Sequence, residues 1–508
     1  MYVLIRPVDR KEFEGRTFPH AYDVLVYQEG RHYYAKDARG NVICVDSPTS
    51  CIQEAINALT PNRTWKEKVL LKGVFVVKNI QLSSYTIIEG GKLILDPSVG
   101  ANPAFIFMAP RTGVTDVEIR NVWFDGNERN ITNTYTEGGG APVHVGISLP
   151  NSKRVVIENN VFQDFAREAI WLTAASANSF GQFDIEDIMI YGNQFIDVAY
   201  GSTVEAARRI SFINNIVTGL KSSGPGLSYF VSLNWLSIHD ILIEGNIIDG
   251  VYSTYNTIGI NNSGNVDLNN IVIKGNTFRN LTVRAIRSYN AVVEGNTIYG
   301  CGNGLDGQFG NSIIIGNTIK EIGYNCILIG ADDLDPSNTV IANNYIQDCA
   351  LSTTNNDIVG AIFDASRITS TKSNIKIMNN IIKQTVAGKL RFGVFAGYGT
   401  YDNLEVIDNI IVGDILFKIY PTTPATGMII RRNIGYITEN SGQATISANS
   451  TRVTVSHGLN IAPTKVLITP LVPPPGKLWV ENITATSFDI VTDTAPTVDL
   501  KVAWYAEV

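Results

Sequence analysis

The chain has 508 residues and a mass of 55.5 kDa; 44% of it is hydrophobic and 17% charged, with 44 glycines and 19 prolines. This composition supports a large packed core and excludes a disordered, collagen-like or coiled-coil chain. Forty basic against 47 acidic residues give a formal charge of -7 and a pI near 5.4, which leaves no broad cationic surface for a phosphate backbone and excludes nucleic acid as a partner. No run reaches the roughly 18 apolar residues of a membrane span, and the opening segment is too short an apolar run for a signal peptide.

Residues 1–46 contain YDVLVYQEG, RHYYAKDARG and NVICVD, three short alternating strands joined by polar turns, and predict a small β appendage. The five cysteines (Cys44, Cys51, Cys301, Cys326, Cys349) form no CxxC pair, so no zinc site is indicated. Cys44 and Cys51 are close enough in sequence to bridge a short loop; buried free thiols are the other reading. Residues 47–59 predict an amphipathic helix with Ser50 as N-cap and Gln53 completing an S-x-x-Q box. After it KVLLKGVFVV, IQLSSYTIIEGG and KLILDP read as further short strands.

A repeated phrase dominates the middle of the chain: alternating β-branched residues followed by Asn. It recurs at Asn121, Asn160, Asn193, Asn215, Asn246, Asn276, Asn296, Asn317, Asn344, Asn380, Asn409 and Asn433. The shortest intervals, 20 to 22 residues, match one coil of a parallel β-helix, in which three short strands close a triangle and each stacks on its equivalent in the next coil. The repeated Asn is expected to take the left-handed bend and to form a hydrogen-bonded ladder along the axis. Adjacent coils would rise ~4.8 Å.

The helix followed by GVFVV and IQLSSYTIIEG resembles the entrance of the pectate-lyase-like right-handed parallel β-helix superfamily, which includes pectate lyases, polygalacturonases and phage tailspikes. The resemblance spans about residues 47–436. It implies an all-β, single-stranded solenoid over residues 47–439, capped by its helix, with a polysaccharide or cell-surface glycan as partner, an extracellular or virion-surface location, and a trimer as the homo-oligomer. From about residue 440 to 508 the rhythm changes, and four alternating segments around a PLVPPPGK loop predict a C-terminal β-sandwich. This tail resembles modules of extracellular and viral carbohydrate-directed proteins.

In that superfamily the strand after the Asn phrase carries the working face. Those strands here include REAIWLTAA, SYFVSLNWL, TIGINNSG, RAIRSYN, GLDGQFG, CILIGADD, GAIFDASR and FGVFAGYG. Alternation sends Trp171, Arg287, Leu328, Phe363 and Phe395 outward, beside the long loops 127–154 and 173–187. Outward aromatics suit sugar rings, with packing beneath the loops as the plainer reading. Trp171, Arg287, Tyr289, Phe363, Arg367 and Phe395 are the candidate glycan contacts. Hydrolysis needs two carboxyls, and lyase chemistry needs a cation and a base. REAIWL resembles the D-D-C-I-A-I segment of polygalacturonases, which places Glu168 at its second aspartate while Arg167 departs from the first; the G-H-G and R-I-K motifs are absent. The candidate acids are Glu168 with Asp164 and Asp184, then Asp306 and Asp364. Arg284 with Arg287, and Asp364 with Arg367, form charged stripes that would meet an acidic sugar. Asp332, Asp333 and Asp335 have a spacing able to gather oxygens around calcium, the one cofactor considered. The reading favours a glycan-cleaving hydrolase or lyase over a non-catalytic binding spike or structural rod.

Overall fold

A computed structural model describes residues 22–131, 144–174, 181–220, 227–250, 256–262, 267–307, 309–330, 335–354, 356–366, 371–396, 400–421 and 428–508. It divides into two compact units, residues 1–327 and 328–508.

The first unit begins with three antiparallel strands, Val24–Glu29, His32–Asp37 and Val42–Asp46, where alternation predicts them. They are joined to the solenoid, because Val24–Glu29 also pairs in parallel with Glu67–Lys72 of the first coil. The helix runs Pro48–Asn57 and buries Cys51, Ile52, Ala55 and Ile56. Its N-cap is Ser47, not Ser50: the Ser47 hydroxyl accepts from the Ser50 backbone N–H, and Pro48 takes the first helical position, where no N–H is needed. Gln53 serves instead as a clamp, exchanging hydrogen bonds with both backbone groups of Gln81. Cys44 and Cys51 form a disulfide with Cα atoms 5.2 Å apart, tying the third strand to the helix. Cys326 and Cys349 are disulfide-bonded as well, whereas Cys301 is a buried free thiol whose pKa burial pushes up to about 12.

From Glu67 onward three strands recur per coil, each in parallel register with its equivalents. Asp267–Lys274, Thr277–Arg279 and Arg284–Ile286, for instance, stack on Ala291–Glu294, Thr297–Tyr299 and Asn303–Asp306. Inward Ile and Val residues form columns, and a file of rings (Phe107, Phe124, Phe162, Phe195, Phe230) runs down the interior with centroids 4.8–5.8 Å apart. Equivalent side chains stack because the register is constant, so the core reaches interior packing without long-range crossovers.

The Asn ladder is present, with two corrections. The left-handed bend belongs to the residue before it: Asn159, Gly192, Asn214, Gly245, Gly275, Gly295 and Gly316 all have positive φ. The ladder Asn is buried, and its amide carries the bonding. Asn296 Oδ1 accepts from the backbone N and Nδ2 of Asn276 at 2.9 and 3.0 Å, while its own Nδ2 donates to Asn317 Oδ1 and to the Ile273 carbonyl. The same pattern links Asn160, Asn193, Asn215 and Asn246. Asn121 is not a rung: it has φ +55 and aligns with the bend, Val122 fills the ladder place, and the ladder starts at Asn160, which accepts from the Val122 N–H.

In the second unit Gly360–Asp364, Leu390–Ala396 and Ile415–Pro421 stack in parallel, and Asn344, Asn380, Asn409 and Asn433 form the same ladder. The tail is a sandwich of two antiparallel three-stranded sheets. One is Glu439–Ile446, Leu500–Glu507 and Lys465–Pro470; the other is Arg452–Ser456, Ser487–Thr492 and Leu478–Glu481. Ile446, Phe488, Ile490, Val502 and Trp504 lie in its core. His457 is buried and structural, its Nδ1 accepting from the Leu459 N–H.

Replacing Asn296 by Ala strands the Asn276 donors and the Ile273 carbonyl in a dry interior. It should cost about 3 kcal/mol in chemical denaturation, against less than about 0.5 kcal/mol for Thr297→Ala, exposed on the same coil. Equal midpoints for the two variants would contradict the ladder's role.

Candidate functional site

Three long strands of the first unit, Val161–Leu172, Gln194–Ile213 and Leu227–Glu244, lie side by side in parallel. A register shift between Phe165 and Glu168 interrupts the alternation, and Glu168 falls beside Tyr200, which pairs with Tyr229. Such irregularities re-aim side chains. Three positions further, Trp171, Thr203, Ser232 and Asn261 form a row across four coils.

Glu168 is only 4% exposed. Its Oε2 lies 3.4 Å from Arg167 Nε, and its Oε1 accepts from the Thr203 hydroxyl at 3.4 Å. Burial pushes its pKa up, and the nearby Glu205 charge pushes in the same direction, while Arg167 opposes both. Glu205, on the next coil, accepts from Trp171 Nε1 at 3.3 Å, from Thr173 Oγ1 at 3.0 Å and from the Ala174 N–H at 2.9 Å. Two carboxyls thus flank the Trp171–Thr203 pair: Glu168 beside Thr203, Glu205 beside Trp171. Tyr200 and Tyr229 stack at 4.4 Å, and the Arg167 guanidinium sits 5.4 Å over the Tyr200 ring. Burial, then the Glu168 charge, raise the Tyr229 pKa, so the phenol stays protonated.

The other anticipated residues occupy different surroundings. Asp164 takes a left-handed turn at φ +57 and pairs with Arg129 at 3.1 Å. Asp184 is buried and meets the Glu205 coil through its backbone, its N–H bonding the Ala206 carbonyl. Asp306 pairs with Arg284 at 3.3 Å and accepts from Asn303 Nδ2. Arg287 directly follows Ile286, which pairs with Ile260 of the Asn261 coil, and Tyr289 lies two residues beyond; burial raises the Tyr289 pKa. The Arg287 end therefore extends the Trp171 row.

In the second unit Asp364 accepts from Lys372 Nζ at 2.8 Å and from the Tyr401 hydroxyl at 2.6 Å, with Lys372 itself wholly buried; burial nonetheless raises the Asp364 pKa. This closed triad anchors neighbouring strands. Phe363 and Phe395 stack at 4.5 Å but are 6% and 5% exposed, packed with Phe392 and Leu328 away from the solenoid interior. They are covered, so they are not open sugar platforms. Asp335 caps its own turn, accepting from the Ser337 N–H and hydroxyl. Asp332, Asp333 and Arg367 lie outside the described residues. Among the described residues no cluster of three or more His, Cys, Asp or Glu is placed to hold a metal.

Glu205, Thr203, Tyr200 and Tyr229 were not singled out from sequence. Gln194–Ile213 is one uninterrupted 20-residue strand, so the segment AYGSTVEAARRI shows no turn that marks a working strand. Counting ten residues from ladder Asn193, as eleven from Asn160 reaches Trp171, would have placed Thr203 beside Trp171 and Glu205 just beyond.

Residues 111–237 match the Beta_helix family, described as the right handed beta helix region. No curated protein matches the chain. Solved structures do: the tailspike of E. coli bacteriophage HK620, as an aspartate-to-alanine variant in complex with a pentasaccharide, is 14% identical with a TM-score of 0.52, covering 93% of this chain and 92% of that one. A glutamate-to-alanine variant with the pentasaccharide gives 14% and 0.53 over the same shares, and the double variant gives 12% and 0.51 over 98% and 99%. The chain folds as a right-handed parallel β-helix followed by a C-terminal β-sandwich, and its fold is similar to that of these tailspikes. At these identities the likeness is one of fold.

The raised Glu168 pKa has a stability consequence. A carboxyl raised by folding contributes fully below its unfolded pKa, and that contribution is lost as pH rises through the folded value. Glu168→Gln should therefore gain melting temperature relative to wild type as pH is raised from 4 to 8. A constant difference across that range would refute a pKa raised by burial.

Proposed function

We propose that the protein is a glycoside hydrolase that cleaves a polysaccharide at the Trp171–Thr203 row, with Glu168 as proton donor and Glu205 as the second carboxylate. The observation that carries this reading is the pair itself: one acid whose pKa burial raises and one that accepts three hydrogen bonds, on adjacent coils around an aromatic ring. Glu168 delivers its proton to the leaving glycosidic oxygen as the C–O bond breaks. Glu205 deprotonates water or attacks the sugar carbon, according to the distance between the two carboxyls. Trp171, held by its Nε1–H bond to Glu205, offers a ring face to the C–H surface of a sugar, and the Arg287 end of the row extends the binding surface along the chain. A lyase is less well supported, because Arg167, the cation at this site, is engaged by Glu168 and stacked on Tyr200.

The HK620 tailspikes were solved with a pentasaccharide, which supports an oligosaccharide segment of a cell-surface glycan as substrate and a virion-surface or extracellular location. The trimer implied by the resemblance would appear by light scattering as three times 55.5 kDa.

On a polysaccharide found by reducing-end screening, Glu168→Gln and Glu205→Gln should each lower turnover about 10²- to 10⁴-fold with the glycan still bound, whereas Trp171→Ala should weaken binding first. Full cleavage by Glu168→Gln would move the active site elsewhere. Arg167→Met removes a cation that holds the Glu168 pKa down, so the alkaline limb of kcat/KM should shift to higher pH. An unshifted limb would show that another group donates the proton.

A further inference from the structure

We propose that the second unit carries a separate, non-catalytic binding site for an anionic sugar, a pyranose bearing a carboxylate, in the cavity of about 420 Å³ between strand Ile415–Pro421 and the start of the sandwich. That volume lies within the ~300–1,000 Å³ of small-ligand sites.

Its walls are unlike the rest of this unit's aromatic cluster. Phe417 and Tyr420 are each 37% exposed, against 3% and 5% for Phe392 and Phe395 behind them. The two rings meet at 5.1 Å with planes 58° apart, an open V. Both are held from behind: Phe417 stacks on Phe392 at 5.7 Å, and Tyr420 lies parallel to Phe395 at 5.9 Å, 4° from coplanar orientation. Platforms fixed in this way lose little side-chain freedom when a ring lands on them.

Polar groups supply the direction. Between the two aromatic residues in sequence is Lys418, and among the described residues no carboxylate pairs with its ammonium. The ammonium lies over the bare backbone of Gly435: a Cβ there would be 3.3 Å from Lys418 Nζ and 2.1 Å from the Ile411 carbonyl, and the φ of +94 also demands glycine. Asn460, on the opposite wall, uses its backbone N–H and its Oδ1 to bind Ile437, which leaves its amide NH₂ as a donor. A purely apolar partner would desolvate Lys418 without compensation. A carboxylated pyranose answers every group at once: its C–H face meets the rings, its carboxylate meets Lys418, and a hydroxyl accepts from Asn460. Among the described residues no Asp or Glu lines the cavity, which fits a site that holds a sugar without acid–base cleavage.

The test uses the full chain carrying Glu168→Gln, with D-glucuronate and oligogalacturonate as acidic probes and D-glucose as the neutral one, followed by saturation-transfer NMR and calorimetry. The acidic probes should bind at least about fivefold more tightly than glucose. Tyr420→Ala should weaken them about tenfold, a stacking loss, and Lys418→Met should abolish the preference for acid over neutral. Neither change should alter the melting temperature by more than a few degrees, and in the wild-type background Lys418→Met should leave turnover of a short oligosaccharide unchanged. Acidic probes that bind no better than glucose, or equally to the Tyr420→Ala and Lys418→Met variants, would overturn the proposal. So would a fall in oligomeric mass of Tyr420→Ala by light scattering, which would assign the V-shaped face to a second copy of the chain. Because cleavage is disabled in the test protein, failure here leaves the Glu168–Glu205 reading untouched, and failure of that reading leaves this one standing.

Discussion

The buried asparagine amide, bonded to the coils on either side, is the constraint on which the rest of the solenoid depends. Each rung satisfies a backbone N–H, a backbone carbonyl and the next rung's amide, as Asn276 does with Asn296 and Ile243. An unpaired amide at such a place costs ~1–3 kcal/mol per group, so a shift of one coil against the next by a single residue is strongly opposed. The ladder therefore holds register, and register lets Ile stack on Ile and Phe on Phe through the interior.

Once register is held, chemistry need not be clustered in sequence. Trp171 and Glu205 are 34 residues apart and share a hydrogen bond; Thr203 and Glu168 are 35 apart and do the same. The four side chains come from two strands on adjacent coils, Val161–Leu172 and Gln194–Ile213. The register shift between Phe165 and Glu168 sets Glu168 among Thr203, Tyr200 and Arg167, in a place dry enough to raise its pKa, and the pairing of Gln194–Ile213 with Leu227–Glu244 shifts again on either side of Glu205.

Most other charges in the molecule are spent on holding coils together. Glu186 meets Lys153, Arg208 and Arg209, and although partial burial works the other way these cations hold its pKa at about 2. Asp187 with Arg209, Asp116 with Arg154 and Asp408 with Arg432 tie successive left-handed corners. The Asp364–Lys372–Tyr401 triad does the same inside, where breaking one partner would leave a buried charge uncompensated. Glu168, like Asp364, has a pKa that burial raises despite the cation beside it, and among the described residues no carboxylate pairs with Lys418.

The solenoid was legible in the chain because it is written locally and repeatedly: a β-branched run, a residue that tolerates positive φ, then Asn, at intervals that cannot fall below one coil. The helix, the three N-terminal strands and the sandwich were legible for the same reason, since alternation and capping are short-range. Even the errors were local ones, Ser50 for Ser47 and Asn121 for the bend that precedes a rung, each a displacement by one to three residues where neighbouring residues have similar chemistry. Glu168 and Trp171 were singled out because a single strand carries both. Glu205 was not, and neither were the covering of Phe363 and Phe395 or the closed pairing of Asp306 and Asp364, because each depends on which residue of another coil comes alongside. Loop lengths and register shifts decide that, and alternation within a strand carries no information about either; only the stacked structure does.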